Sequence, residues 1–292
     1  MPDVSAIEYT EKESLIVNSA YADLLRGMHL DSSDSLWQYS DEHLHRCVVK
    51  KIRERDVIRL KIPDSNGDRC FFIKRHHLGD TGLKQSIFSG RFLSEGRKEF
   101  FHICLFRKHG LATVTPVAAG ECSNGRSFII TEDFRPFVTL ENLPAHDTGF
   151  RERMKHPDAR KTLLAEIARY ARKMHDTGLN HCDFNADHIL IHYDGNSDKP
   201  AVALYDFQRI RQRKYFRFRW VIKSLAELGF SLPEEFFTEN DKKSLLLLYK
   251  GKEKPGLWEM LQLMWICGKV ERIRKHTQKI MDRHKKHGDF IS

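Results

Sequence analysis

Two aspartates, separated by a strand, a turn and a second strand, are the residues best placed in this chain to do chemistry. Asp183 lies in His181-Cys182-Asp183-Phe184-Asn185-Ala186-Asp187-His188, and the apolar run Ile189-Leu190-Ile191 follows directly. Asp206 ends the run Ala201-Val202-Ala203-Leu204-Tyr205, with the turn residues Asp194-Gly195-Asn196 between the two runs. That pattern predicts a β-hairpin joining two acidic loops. A loop carboxylate can accept the proton of a hydroxyl, and a carboxylate at a strand end can hold a hard cation such as Mg²⁺. Phosphoryl transfer makes these two demands, since it needs positioning and charge neutralisation more than covalent help from the protein. A lone His-x-Asp is common as a helix cap or turn, so the weight rests on both halves occurring in this order.

The order is that of a kinase catalytic loop followed by a metal loop, which makes Asp183 the base and Asp206 the Mg²⁺ carboxylate. Upstream, Cys70-Phe71-Phe72-Ile73-Lys74-Arg75 reads as a strand ending on a lysine, where kinases place the lysine that reaches the ATP phosphates. A helix predicted from about Arg91 to His109, stopped by Gly110, carries Glu95 and Glu99 as candidate lysine partners. Glu99 is preferred because it lies a turn ahead of the apolar positions. Between Val48-Val49-Lys50-Lys51 and Val57-Ile58-Arg59-Leu60 no Gly-x-Gly-x-x-Gly loop occurs, so phosphates would meet side-chain cations there. Glu132-Asp133-Phe134 follows a hairpin predicted over Thr115 to Thr131, where a hinge backbone would meet adenine, so Glu132 joins the cofactor-binding candidates.

The elements that must position these residues fit a chain of 292 residues with 40% hydrophobic and 30% charged content, enough for a substantial core. Residues 1–36 read as an N-terminal extension, 37–135 as a β-rich lobe and 136–292 as a helical lobe. A helix over Asp158 to His175 leads into the Asp183 loop, with His175 as its structural brace. After Val221 the pattern is helical throughout: Val221 to Gly229, Asp241 to Lys250, Leu257 to Cys267, and a basic tail from Lys269 to His287. The six cysteines form no Cys-x-x-Cys pair, which argues against zinc or a disulfide framework. No apolar run is long enough to span a bilayer and Met1 to Ala20 lacks a leader pattern, so a cytoplasmic protein is expected.

A net charge of +9 implies polyanionic partners. No nucleic-acid-binding signature stands out, and none is expected to be bound. Between Arg209 and Trp220, basic and aromatic residues interleave, and Arg211, Arg213 and Arg217 are the candidate acceptor-binding residues. The tail helix reads first as a solvated basic face and second as a peripheral membrane contact.

Together Phe72-Ile73-Lys74-Arg75-His76, the His181-Cys182-Asp183 loop with His188, Leu204-Tyr205-Asp206-Phe207-Gln208-Arg209, and the segment Trp220 to Ser231 resemble the lipopolysaccharide core kinases of Gram-negative bacteria, the Kdo/heptose kinase family. The resemblance covers roughly residues 45 to 235. It implies an α+β, protein-kinase-like two-lobed fold with a β-rich N-lobe, a helical C-lobe and ATP between them. It also implies ATP-dependent phosphorylation of an inner-core sugar hydroxyl, on heptose in preference to Kdo. The acceptor would be core oligosaccharide or a lipid-linked form of it, met in the cytoplasm or on the cytoplasmic face of the inner membrane. His188 stands at the second-metal position in place of Asn, although Mg²⁺ favours hard oxygen ligands over imidazole. The chain lacks the His-Gly-Asp of choline or aminoglycoside phosphotransferases and the Ala-Pro-Glu of protein kinases. A non-catalytic scaffold that binds a membrane or a partner is the rival from another class, opposed by intact Lys74, Asp183 and Asp206.

Overall fold

The β-forming stretches of the N-terminal half pair as one antiparallel sheet in the computed structural model, which describes residues 6–52, 54–64, 67–77, 93–195, 197–215 and 217–287. The expected helix start at Arg91 and the residues Arg53, Ser65, Asn66, Asn196 and Phe216 lie outside that set. The chain forms two compact units, one running up to Arg135 and taking in Asp206–Gln208, the other holding Pro136–Tyr205 and the chain from Arg209.

The first unit contains β1 (Tyr9–Lys12), β2 (Leu15–Asn18), β3 (Val48–Ile52), β4 (Arg55–Asp64), β5 (Gly67–His76), β6 (Pro116–Glu121) and β7 (Ser127–Glu132). Their order across the sheet is β1-β2-β6-β7-β5-β4-β3. Residues 1–36, expected as an extension, thus supply two strands from their described part. Leu15 to Val17 pair with Gly120 to Ala118, and such a short run is recognisable as a strand only beside its partner. Alternation along β4 and β5 buries Ile58, Leu60, Ile62, Phe71 and Ile73 on one face. Each such apolar side chain is worth about 1.5–3 kcal/mol relative to leaving it in water. Helices α1 (Ala22–Gly27) and α2 (Ser33–Cys47) cover that face with Leu25, Leu36 and Trp37.

Helix α3 (Glu95–Lys108) packs on β6 and β7 through Phe100, Ile103 and Phe106, none of which has exposed surface. Its first turn lies against the β7 backbone, where a Cβ on Gly96 would come within 2.1 Å of the Phe128 carbonyl oxygen. Only glycine allows that approach, and three residues on, Glu99 shares the same inward side of the helix. Gly110, at φ 66°, ends the helix as the sequence predicts.

In the second unit, β8 (Val138–Thr139), β10 (Ile189–His192) and β11 (Ala201–Leu204) form one small sheet, and β9 (Leu179–His181) pairs with β12 (Ile210–Gln212). The hairpin expected from the sequence is β10–β11, in register from Ile189↔Leu204 to His192↔Ala201. Around them lie α4 (Leu143–His146), α5 (Thr148–Arg153), α6 (Pro157–Asp176), α7 (Phe218–Ser231), α8 (Glu239–Lys250) and α9 (Leu257–His287). Helix α6 begins on Pro157 and buries Leu163, Leu164, Ile167, Ala171 and Met174. It is followed by Gly178 at φ 81°, where a Cβ would lie 2.6 Å from the Arg213 carbonyl oxygen, so β12 closes tightly on the start of β9. The two terminal helices expected on either side of Gly268 are a single helix of 31 residues. One exposed glycine costs a helix only about 1 kcal/mol, less than the ladder it would otherwise break. Among the described residues no helix is long and apolar enough to cross a membrane.

Candidate active site

The first unit gathers one ammonium and two carboxylates. Lys74, on β5 between Val57 of β4 and Ile129 of β7, points away from the face that carries Ile73. Its Nζ lies 2.7 Å from Asp206 Oδ1 and 3.2–3.3 Å from the two Glu99 oxygens. Glu99 is 4% exposed; burial raises its carboxyl above the usual range while Lys74 opposes the rise. Glu99 Oε1 also accepts from the Phe207 amide at 3.1 Å, and the Phe207 carbonyl accepts from His102 Nδ1 at 2.8 Å. Glu95, the alternative partner for Lys74, pairs instead with Lys98.

Asp206 has φ 61°, a left-handed backbone that Asp and Asn tolerate better than other side-chain-bearing residues. It is held there from both sides. Phe207 is fully buried with its ring edge-to-face on Phe106 at 4.9 Å, and Gln208 accepts from Arg55 at 2.6 Å. Gln208 Nε2 also lies 3.4 Å from His76 Nε2. Burial first, then Lys74 and Arg55, push His76 down to about 4, so its neutral ring can accept that bond at pH 7. The next strand position, Arg75, faces the opposite way and is bidentate to buried Asp56 at 2.7 and 2.8 Å, with Trp37 stacked at 4.8 Å. β5 is thereby pinned from behind.

Glu132, at the end of β7, commits its side chain elsewhere: it accepts from Tyr21 at 3.0 Å and from Arg69 at 2.7 Å. Its amide donates to the Thr115 carbonyl at 2.8 Å. Only a backbone contact with a nucleobase is compatible with these bonds.

The second unit carries its own acidic loop. Asp183 follows β9 on a loop tied by the Cys182 amide to the Arg209 carbonyl at 2.8 Å, by buried Phe184, and by the Ala186 amide to Ser231 Oγ at 2.8 Å. Asp183 Oδ1 accepts from Arg209 Nη1 at 2.7 Å. His188 Nδ1 donates to the Asp183 carbonyl at 2.9 Å, so this imidazole braces the loop, with Nε2 facing Asp187 Oδ2 at 3.8 Å. Its ring also packs edge-on against Tyr205. Among the described residues no three His, Cys, Asp or Glu side chains gather as a metal cage. Mg²⁺ is commonly held by one or two carboxylates plus substrate phosphates, and Asp206 is a carboxylate that could serve in that way.

His175 braces the loop from α6, with Nε2 3.3 Å from Asn180 Oδ1 and Nδ1 3.2 Å from the Tyr249 hydroxyl. Burial pushes it down to about 4, so it is neutral at pH 7. Of the three acceptor candidates, Arg211 and Arg213 line one cavity while Arg217 does not. Arg217 donates instead to the His175 and Asp176 carbonyls at the C-terminal end of α6. It completes a helix end, where a guanidinium meets the last carbonyls, that of His175 also accepting from the Gly178 amide at 3.0 Å, and the negative pole of the dipole.

Three participants escape the sequence. Arg209 stands in the basic-aromatic run, yet nothing in that run says that its guanidinium goes to Asp183. Lys223, which donates to the Cys182 carbonyl and pairs with Glu227 at 2.8 Å, reads as one more helix lysine. Arg55 on Gln208 joins residues more than a hundred positions apart.

Comparisons with known proteins point to the same chemistry. The model of the lipopolysaccharide kinase (Kdo/WaaP) family matches residues 92–249. The lipopolysaccharide core heptose(I) kinase WaaP of Pseudomonas aeruginosa is 29% identical over 269 residues, covering 88% of this chain and 96% of the relative. The enzyme of the same name from Escherichia coli K12 is 28% identical over 264 residues, covering 84% and 96%. A solved structure, WaaP in complex with acyl carrier protein, superposes with a TM-score of 0.63 at 27% identity, covering 89% of this chain and 99% of that one. With the family model matching more than half its length, around both the Glu99–Asp206 and the Asp183 constellations, the chain belongs to the lipopolysaccharide kinase (Kdo/WaaP) family.

Proposed function

We propose that this protein is an ATP- and Mg²⁺-dependent kinase that phosphorylates a heptose hydroxyl of the lipopolysaccharide inner core. The observation that carries the reading is Lys74, whose ammonium bridges buried Glu99 and Asp206 at the end of a strand. Glu99 orients the lysine, the lysine receives ATP phosphate oxygens, and Asp206 takes the metal. Mg²⁺ there supplies charge neutralisation for the transferring phosphoryl group. Asp183 accepts the proton of the attacking hydroxyl, on a loop that His188 braces through the Asp183 carbonyl. Glu132 serves the nucleobase through its carbonyl.

The deciding test is mass spectrometry of core oligosaccharide from cells with and without the gene. One phosphate lost from a heptose is the expected difference. A phosphate lost from Kdo would move the acceptor, and an unchanged core would reject the reading.

We place the enzyme in the cytoplasm, in peripheral contact with the inner membrane through the start of α9. There Trp258, Met260, Met264 and Trp265 are 46–69% exposed, with Lys269 and Arg272 close behind. Co-sedimentation with vesicles containing anionic lipid should fall when Trp258 and Met264 become Ser. No change in sedimentation, with an acyl carrier protein retained by the wild type and lost by that variant, would assign the face to a protein partner of the kind seen with the neighbouring WaaP.

A further inference from the structure

A cavity of about 480 Å³ opens where β12, α7 and α9 meet. Six cations line it: Arg211 from β12 and Arg213 just after it, Arg219 and Lys223 from α7, Lys269 and Arg272 from α9. Among its described lining residues there is no carboxylate. Two other cavities of this unit carry both signs: one of about 280 Å³ among α7, α8 and α9 mixes Glu234, Glu239 and Glu271 with Lys242, Lys243 and Arg274, and one of about 330 Å³ sets Asp176 beside Arg172, Lys250 and Lys252. One-sign lining is therefore a property of this cavity and not a general result of a basic chain. Such a cleft concentrates anions, and arginine forks match carboxylate and phosphate oxygens in pairs.

The wall between the cations is aromatic. Trp265 meets Phe218 edge-on at 5.2 Å, and Arg213 lies 5.4 Å over the Trp220 ring. Flat rings beside charged forks suit a ligand with both apolar faces and acidic groups, which describes an acidic sugar. The volume falls in the roughly 300–1,000 Å³ range of small-molecule sites.

Its location ties it to Asp183. Arg209 and Arg213 flank β12 on either side of Arg211, their backbones bonded to Cys182 and Gly178 at 2.8 Å; the Arg209 side chain meets the Asp183 carboxylate, and Arg211 and Arg213 line the cavity. Lys223 lines the cavity and also donates to the carbonyl of Cys182, the residue before Asp183.

We infer that this cavity is a subsite for an anionic sugar of the acceptor, next to the sugar whose hydroxyl Asp183 receives. The inference rests on the kinase reading above and adds what composition could not supply: the last helix completes the acceptor site. The recognised group is a sugar-borne carboxylate or phosphate.

The test compares full-length wild type with Lys269→Ser/Arg272→Ser on deacylated core oligosaccharide, by steady-state kinetics and by titration calorimetry. The acceptor KM and Kd should both rise about tenfold or more, as expected for two partly exposed charge-assisted contacts, while the KM for ATP stays within about twofold. Lys275→Ser/Lys279→Ser, on the same helix outside the cavity, should change neither. Arg217→Ala should lower the melting temperature and leave the acceptor KM alone. Reducing the sugar carboxylates to alcohols, or removing the phosphates, should abolish the gap between wild type and the Lys269/Arg272 variant, and whichever does so names the anion. An unchanged acceptor Kd in that variant, an equal loss in the Lys275/Lys279 control, or a gap that survives both modifications would overturn the inference. Should the wild type bind the oligosaccharide without phosphorylating it, the kinase reading fails and the cavity is judged on the Kd alone.

Discussion

Asp206→Asn is expected to cut Mg²⁺-dependent ATP turnover by about 10²–10³-fold or more while leaving the fold intact. Asn keeps the size of the side chain and accepts the left-handed backbone at φ 61°, so the change isolates charge from conformation. Alanine would confound the two, since a non-glycine residue held at positive φ without a local polar partner costs on the order of 1–2 kcal/mol. In the wild type, two carboxylates share the Lys74 ammonium, and the Asp206 charge adds to the burial that raises Glu99. With Asn at 206 the Lys74–Glu99 pair is electrically balanced and its carboxyl should titrate lower. Stability should therefore change little, and circular dichroism melting should show it. What is lost is the hard anionic oxygen for the metal, which an amide replaces poorly. ATP consumption followed across a Mg²⁺ titration measures the effect. Turnover within about tenfold of wild type at saturating Mg²⁺ would remove Asp206 from the metal role, since electrostatic groups of this kind cost more than that when deleted.

How far the site can be read from the sequence depends on whether neighbours in space are also neighbours in pattern. Lys74 is readable because strand alternation separates it from Ile73, and Glu99 because it lies at helical spacing before Phe100, Ile103 and Phe106. Arg217 is not. It sits in the same basic-aromatic run as Arg211 and Arg213, yet its guanidinium goes to the end of α6, and composition does not say which way an arginine points. The two strands drawn from residues 9–18 are equally hidden, because β1 is exposed throughout and β2 is four residues long. The continuity of α9 through Gly268 comes from its packing against α7 and α8, a tertiary term that overrides a weak local breaker. Lys269 and Arg272 reach the cavity of Arg211 and Arg213 from almost sixty residues away, a distance no sequence period connects.

Asp183→Asn is expected to lower kcat by about 10²–10⁴-fold, the usual worth of general-base help, and to leave ATP affinity nearly unchanged. The side chain stands on a loop tied down by the Cys182, Ala186 and His188 contacts, none of which uses the Asp183 carboxylate, so the loop should keep its shape. The one side-chain bond weakened is to Arg209, which is 65% exposed, and exposed pairs of this kind contribute only about 0–1 kcal/mol. Arg209→Ala separates positioning from proton transfer. It frees the carboxylate without removing the base, so kcat should fall by less than about tenfold, far short of the Asn substitution. Single-turnover rates and ATP Kd values for both variants give the comparison. A large rise in ATP Kd for Asp183→Asn with kcat preserved would make Asp183 a nucleotide ligand. Equal losses of kcat in the two variants would mean that the Arg209–Asp183 pair acts as one unit, with the arginine itself in contact with the transferring group.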